Sequence, residues 1–280
     1  MKGMIKAVAT HAGLLLASAT VLCPLFIITW LSFGAPGLGG NLATLMHWKL
    51  LFNLPVTTVN GELLTPDLPA LTWLWNSLRI ALIFAVTATA LAAMSAYALV
   101  RKSFIGKRVL NRAILLVQFL PSVLALVAVY ILLRKVGGYF PLFGVNSPLG
   151  LGLAYLGGLA FYIWILKGQI TNLPSTFEES ARISGASQWQ ILWRVIIPLI
   201  MPGLMITFLI AFAMAYSELP LATILLQDKQ SYTLAIGAGQ YLAQQQFYWG
   251  EFAAFALLSS LPAIFLLLLL QRWLLRANRY

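Results

Sequence analysis

Of the 280 residues, 61% are apolar and only 9% are charged. An ordinary soluble domain is about 25% charged, so a lone soluble domain is excluded, and disorder is excluded by the same hydrophobicity. Eighteen basic and seven acidic residues give a net charge of +11, with one cysteine, Cys23, and two histidines, His11 and His47. That inventory rules out an internal disulfide and a multi-cysteine metal site, and it leaves little for acid–base chemistry. A basic surplus in so apolar a chain marks cytoplasmic loops rather than nucleic-acid binding.

The composition predicts an all-α integral membrane protein, a single transmembrane domain over residues 1–280. A helix needs about 20 apolar residues to cross roughly 30 Å of hydrocarbon. Six segments qualify, at about 11–33, 78–100, 113–133, 149–166, 199–220 and 252–270. The first has too long an apolar stretch for a signal peptide and no small-residue cleavage site before a polar region. Trp73 and Trp75 precede the second span, where indoles favour the headgroup region. Ala85, Ala88, Ala92, Ser95 and Ala96 in the second span, and Gly150, Ala154 and Gly158 in the fourth, predict faces for close helix packing. With both termini cytoplasmic, 13 of the 18 basic residues fall inside and 5 outside, which selects that orientation.

The segment 174–198 is amphipathic and lies on the cytoplasmic side. Ser175 with Glu178, and Thr176 with Glu179, have capping-box spacing. Gly185 fits a left-handed helix end. Ser187 with Gln190 starts a second short helix, whose apolar face is Trp189, Ile191, Leu192, Val195 and Ile196, and Pro198 interrupts it. The expectation is a helix–turn–helix along the membrane surface.

Two polar groups stand in apolar runs. Glu218 is the only charge between Leu199 and Leu226. A carboxylate at mid-membrane is costly, so it either lines a translocation path or sits at the outer interface. Gln118, near Pro121, is a second candidate for the path. Tyr130, Tyr155 and Tyr162 are weaker ones, since each is more often a packing residue. The outer loop carries Gln240, Tyr241, Gln244, Gln245, Gln246, Phe247, Tyr248 and Trp249. Amides and aromatic faces suit sugar surfaces, and they also suit an interfacial belt. No phosphate-binding G-x-x-x-x-G-K-[ST] sequence occurs, so any ATP-derived energy comes from another polypeptide.

Glu179-Ser180-Ala181, Gly185, Val195, Ile197 and Pro198 resemble the "EAA" loop of permease subunits of binding-protein-dependent ABC importers. Ser180, Val195 and Ile197 replace Ala, Ile and Leu of that pattern. Further stretches resemble the smaller permease of maltose/maltodextrin importers, the MalG type. They are WLWNS (73–77), AYLGG (154–158), SYTLA (231–235), QYL (240–242), WGEFA (249–253) and QRWL (271–274).

The resemblance implies a type I importer permease in the bacterial inner membrane, with six spans and a cytoplasmic coupling helix. It implies no catalytic residue and no metal or cofactor on this chain; ATP and Mg belong to partner subunits. The implied partners are a larger permease subunit, two ATPase subunits, a periplasmic sugar-binding protein and membrane lipid, with no nucleic acid. Glu178, Glu179, Ser180, Ala181, Gly185, Val195, Ile197 and Pro198 would form the ATPase-coupling element. The outer loop from Gln240 to Trp249 would reach into the binding protein and displace its sugar. Alternatives are another oligosaccharide as substrate, a membrane-embedded enzyme, or a stand-alone channel; the scattered acids and the lack of a clear repeat disfavour the last two.

Overall fold

The computed structural model describes residues 2–34, 44–57, 61, 63–65, 68–119, 122–243 and 248–277. Among them, four helices are long and apolar enough to cross a membrane: Thr10–Phe33, Ala70–Arg101, Pro148–Thr171 and Trp249–Arg272. Gln188–Leu199 and Met201–Tyr216, bent by 78° at a short break, supply a fifth if the pair counts as one span. The expected third span, 113–133, falls on two helices on either side of residues 120–121, which lie outside the described residues.

Packing divides the chain into two compact units, residues 1–72 with 237–261, and residues 73–236 with 262–280. In the first, α1 (Lys2–Phe33) is followed by α2 (Met46–Leu51) and a two-residue antiparallel pairing of β1 (Val56–Thr57) with β2 (Leu63–Leu64), in register Val56 to Leu64. Phe33 stacks on Trp48 with ring centroids 5.7 Å apart. The buried His47 ring makes a 2.9 Å hydrogen bond through Nε2 to the Gly34 carbonyl. A carbonyl can only accept, so Nε2 carries the proton and Nδ1 the lone pair.

The second unit is organised on α3 (Ala70–Arg101). Its alanine-rich sequence has neither Gly nor Pro, which explains an uninterrupted helix of 32 residues. Ala81, Ala85, Ala88, Ala92 and Ala96 recur every three or four positions and are all fully buried. This small-residue face lets neighbouring backbones approach, as its spacing predicts. Phe84 on the same side meets Tyr155 and Tyr162 edge-on at 5.6 and 6.0 Å, so these two tyrosines are packing residues. The helix stops before Gly106, whose φ of +87° reverses the chain into α4 (Lys107–Gln118). Lys107 Nζ caps the end of α3 by donating to the Lys102 carbonyl at 2.8 Å.

The helix α5 (Ser122–Tyr139) leads to α6 (Pro148–Tyr155), which joins α7 (Leu159–Thr171) through a 3-10 turn at Leu156–Gly158. The expected small-residue face of this segment is realised only in part. Gly150 abuts the backbone of Phe143 and Gly144, whereas a side chain at Gly158 would meet open space. α4 lies against α7, where Lys167 Nζ donates to Asn111 Oδ1 at 2.6 Å. The remaining helices are α8 (Thr176–Ile183), α9 (Gln188–Ile191), α10 (Ile197–Leu199), α11 (Met201–Tyr216), α12 (Pro220–Leu225), α13 (Leu234–Ala243) and α14 (Trp249–Ala277).

Candidate functional site

The 174–198 loop is the most fully specified functional candidate. α8 begins after Ser175, whose side chain makes no capping bond. The predicted box with Glu178 does not form, and Thr176 is already inside the helix. Glu178 is instead 2% exposed, with its carboxylate turned toward α3. Arg101 Nε donates to Glu178 Oε1 at 2.5 Å, and Arg182 Nη2 lies 3.7 Å from Oε2. The guanidinium is itself charged and holds the carboxylate from the end of α3, so Glu178 is not available to the cap. Arg101 Nη2 also donates to the Leu173 carbonyl at 2.7 Å, just ahead of α8. Removing one partner of such a buried pair costs about 3–5 kcal/mol.

The end of α8 follows the predicted turn. Gly185 has φ +83°. Its N–H donates to the Arg182 carbonyl at 2.9 Å, and the Ala186 N–H donates to the Ala181 carbonyl at 3.0 Å. These two bonds are the Schellman pattern, which satisfies carbonyls that the helix end would otherwise orphan. Ala181 thus has a main-chain role as the acceptor that closes the turn. The second cap also forms: Ser187 Oγ accepts from the Gln190 N–H at 3.3 Å, and Gln190 Oε1 accepts from the Ser187 N–H at 2.8 Å.

Beyond α9 the backbone enters a π-helical turn over Leu192–Ile196. Pro198 has no N–H to give to an i−4 carbonyl, and its ring crowds that position, so the wider turn accommodates it. Ile191, Leu192 and Ile196 are buried, and Val195 and Ile197 pack partly against the same core. Trp189, expected on that apolar face, is exposed instead and meets the exposed Trp193 edge-on at 5.6 Å. Glu179, Ser180 and Pro198 are exposed, as are Phe177 and Ile183. The exposed surface of the loop therefore combines the Glu179 carboxylate and the Arg182 and Arg194 guanidinium groups with large apolar side chains. Sequence reasoning named Glu179 but missed Phe177 and Ile183, the two large apolar side chains of a helix whose other residues are polar or small.

Glu218 lies in the short connection between α11 and α12. Its carboxylate accepts from the N–H groups of Leu221 at 2.7 Å and Ala222 at 3.0 Å, and from the Tyr155 hydroxyl at 3.2 Å. It caps α12, whose first residue is Pro220. Pro at the first helical position was the local signal for this role. Gln118 is exposed on α4 and donates back to the Ile114 carbonyl at 3.1 Å.

Of the proposed outer loop, Gln240 and Tyr241 lie within α13. Tyr241 is 2% exposed, its ring 5.1 Å from that of Phe255. Gln244, Gln245, Gln246 and Phe247 lie outside the described residues. Tyr248 and Trp249 are exposed, and the Tyr248 N–H reaches the Tyr241 carbonyl at 3.4 Å.

The segment before α13 is held by the start of α3. Trp73 is fully buried, not placed as a headgroup anchor, and its indole N–H donates to the Lys229 carbonyl at 2.8 Å. Asn76 Nδ2 donates to the carbonyls of Gln230 at 2.8 Å and Tyr232 at 3.0 Å. Ser77 Oγ accepts from the Leu234 N–H at 2.7 Å. Trp75, by contrast, is 60% exposed. Among the described residues no group of three or more His, Cys, Asp or Glu side chains is placed to hold a metal ion.

The family model for the binding-protein-dependent transport system inner membrane component matches residues 85–280. The chain belongs to this family. The maltose/maltodextrin transport system permease protein MalG of Vibrio vulnificus (strain YJ016) is 42% identical over 275 residues, which cover 95% of this chain and 92% of that protein. MalG of Escherichia coli (strain K12) is 41% identical over 274 residues, covering 95% and 91%. A chain of a bacterial ABC transporter involved in the import of the acidic polysaccharide alginate superposes with a TM-score of 0.77 over 98% of both chains, at 19% identity. That likeness gives this permease the all-α fold of type I ABC importer subunits. Family membership makes the chain a non-catalytic transport component of the inner membrane, with ATP hydrolysis on a separate subunit.

Proposed function

We propose that this permease is the smaller membrane subunit of an importer that moves maltose- or maltodextrin-like sugars by alternating access. The observation that carries the reading is the 42% identity over 95% of the chain to a maltose/maltodextrin permease. In this reading it pairs with a larger permease, and two ATPase subunits carry ATP and Mg. A periplasmic binding protein delivers the sugar. Both termini are cytoplasmic, and α4 with α5 makes the third of six spans.

The loop of α8 and α9 docks on an ATPase subunit through Glu179, Phe177, Ile183 and Trp189, four of the side chains it leaves exposed. Glu178 takes no part in that contact, because Arg101 already holds it. Gln118 lines the path as an exposed amide. Glu218 contributes there as a fixed carboxylate, held by three donors. On the outer side, the stretch 244–249 addresses the binding protein, while Tyr241 anchors it from within.

The test is uptake by proteoliposomes holding the chain with its larger permease, ATPases and binding protein. Labelled maltose and maltotriose should accumulate with ATP, and an acidic oligosaccharide should not. Accumulation of the acidic sugar without the α-glucans would refute the substrate assignment. Failure of the chain to co-purify with an ATPase would refute the docking role.

A further inference from the structure

Two clamps, one at each end of α3, hold different functional segments of the same unit. At one end Arg101 binds Glu178 within α8 and the Leu173 carbonyl ahead of it. Lys102 Nζ donates to the Gln188 side chain, at the first residue of α9. The end of α3 therefore grips both helices of the coupling loop. Lys107 closes the last carbonyls of α3, so the grip acts on an intact helix end.

At the other end Trp73, Asn76 and Ser77 bind four successive parts of the 229–234 segment. All of those partners are main-chain groups. Arg79 Nη2 donates to Asn76 Oδ1 at 2.9 Å, which fixes the amide so that its NH2 faces the two carbonyls. A guanidinium only donates and a carbonyl only accepts, so the amide has one orientation. The 229–234 segment leads directly into α13 and, along the chain, to the loop assigned to the binding protein.

Between the clamps the helix has no Gly, no Pro and no kink-forming element. Asn76 and Arg101 are separated by about 38 Å at 1.5 Å per residue. The alanine face along that length is fully buried. Close-packed interiors have low compressibility and pass displacement on rather than absorbing it.

We propose that α3 is a transmission rod: a displacement of the 173–188 loop is carried along it to the 229–234 segment and so to the root of the outer loop. Arg101, Lys102, Trp73, Asn76 and Ser77 are its positioning residues. This rests on the permease reading above. The rod differs from a diffuse pathway in having two defined ends whose loss has the same consequence.

The experiment is a double-mutant cycle on the full importer in proteoliposomes, with Arg101→Gln at one end and Asn76→Ala at the other. The readouts are ATPase co-purification and the ratio of binding-protein-stimulated to basal ATP hydrolysis. Each single variant should cut the stimulation ratio about tenfold, the order of one buried charged or multiply bonded contact. The double variant should be no worse than the worse single one, because a rod released at either end is already disconnected. Losses that multiply to about a hundredfold would overturn the proposal. So would a fall in complex yield with an unchanged stimulation ratio, the signature of a merely structural role. If Arg101→Gln does not accumulate, Lys102→Ala with Ser77→Ala gives the same cycle at gentler positions. Restored stimulation in the Arg101→Lys variant supports an orienting role for the charge. A parent complex that binds no ATPase refutes the permease reading instead, and with it the rod.

Discussion

Gly185 allows the turn between α8 and α9 to be tested by backbone conformation alone. Its φ is +83°, and a Cβ added there meets nothing within 4 Å. A substitution at this site therefore creates no clash, and its whole effect comes from placing an L side chain in the left-handed region. That costs about 1–2 kcal/mol for an ordinary residue, more at the β-branched end and least for Asn, which tolerates the conformation. The expected order of damage is Asn, then Ala, then Val. A cost of about 1.4 kcal/mol reduces the fraction of properly turned loop about tenfold relative to open forms. The bonds lost are Gly185 N–H to Arg182 and Ala186 N–H to Ala181, so amide hydrogen exchange at 185 and 186 reports the opening directly. Co-purification of ATPase subunits should fall in the same order, with insertion in the membrane unchanged. If Asn at 185 is as damaging as Val, the effect follows side-chain presence rather than φ, and the turn argument fails. Full ATPase association of the Val variant would refute it equally.

Two further outcomes test packing and titration. A Cβ added at Gly203 would strike the Gln169 carboxamide, but that is the free end of a flexible side chain and can swing aside; Gly203→Ala should therefore leave thermal stability within about 1 kcal/mol of the parent, the helix propensity gained offsetting the displaced amide. A markedly lowered melting temperature, restored by adding Gln169→Ala, would show instead that the carboxamide is held rigidly in place. Burial holds the His47 imidazole below its ordinary value, with the Gly34 hydrogen bond pulling more weakly the other way. A histidine depressed in the folded state stabilises it fully only above the unfolded value of about 6.5, and the contribution fades as pH falls below that. Its Nδ1 lies 4.0 Å from Glu251, so the comparison belongs in a Glu251→Gln background. There, melting temperature should fall more between about pH 7.5 and 5.5 with His47 than with His47→Gln, which keeps a donor for Gly34. Parallel curves for the two would rule out the histidine as the titrating group.

What the sequence disclosed was local. Gly185 and the Ser187–Gln190 cap were legible because each depends on residues within a few positions, and so was the alanine stripe of α3. What escaped it were pairings across the chain. Ser175 and Glu178 have correct capping grammar, yet the carboxylate is taken by Arg101, 77 residues away. Trp73 and Trp75 look alike beside a span, and only the tertiary fold decides that one is buried on the Lys229 carbonyl and the other exposed. The stretches 73–77 and 231–235 each stood out as sequence, but their contact with one another was invisible there. Glu218 is the opposite case: Pro220 was an adjacent signal for a helix start, and it was outweighed by the carboxylate's apolar surroundings.

The bond from the Tyr248 N–H to the Tyr241 carbonyl joins the last turn of α13 to the residue just before α14, at the neck of the connection between them. A tether closed at the neck separates the length of what lies beyond from the stability of what lies beneath. Doubling the enclosed stretch costs only about 0.6 kcal/mol of closure entropy. Insertions and deletions can accumulate there without disturbing Tyr241 on Phe255. Selection, or an engineer, can thus change how far this connection extends while leaving the membrane framework of the permease intact.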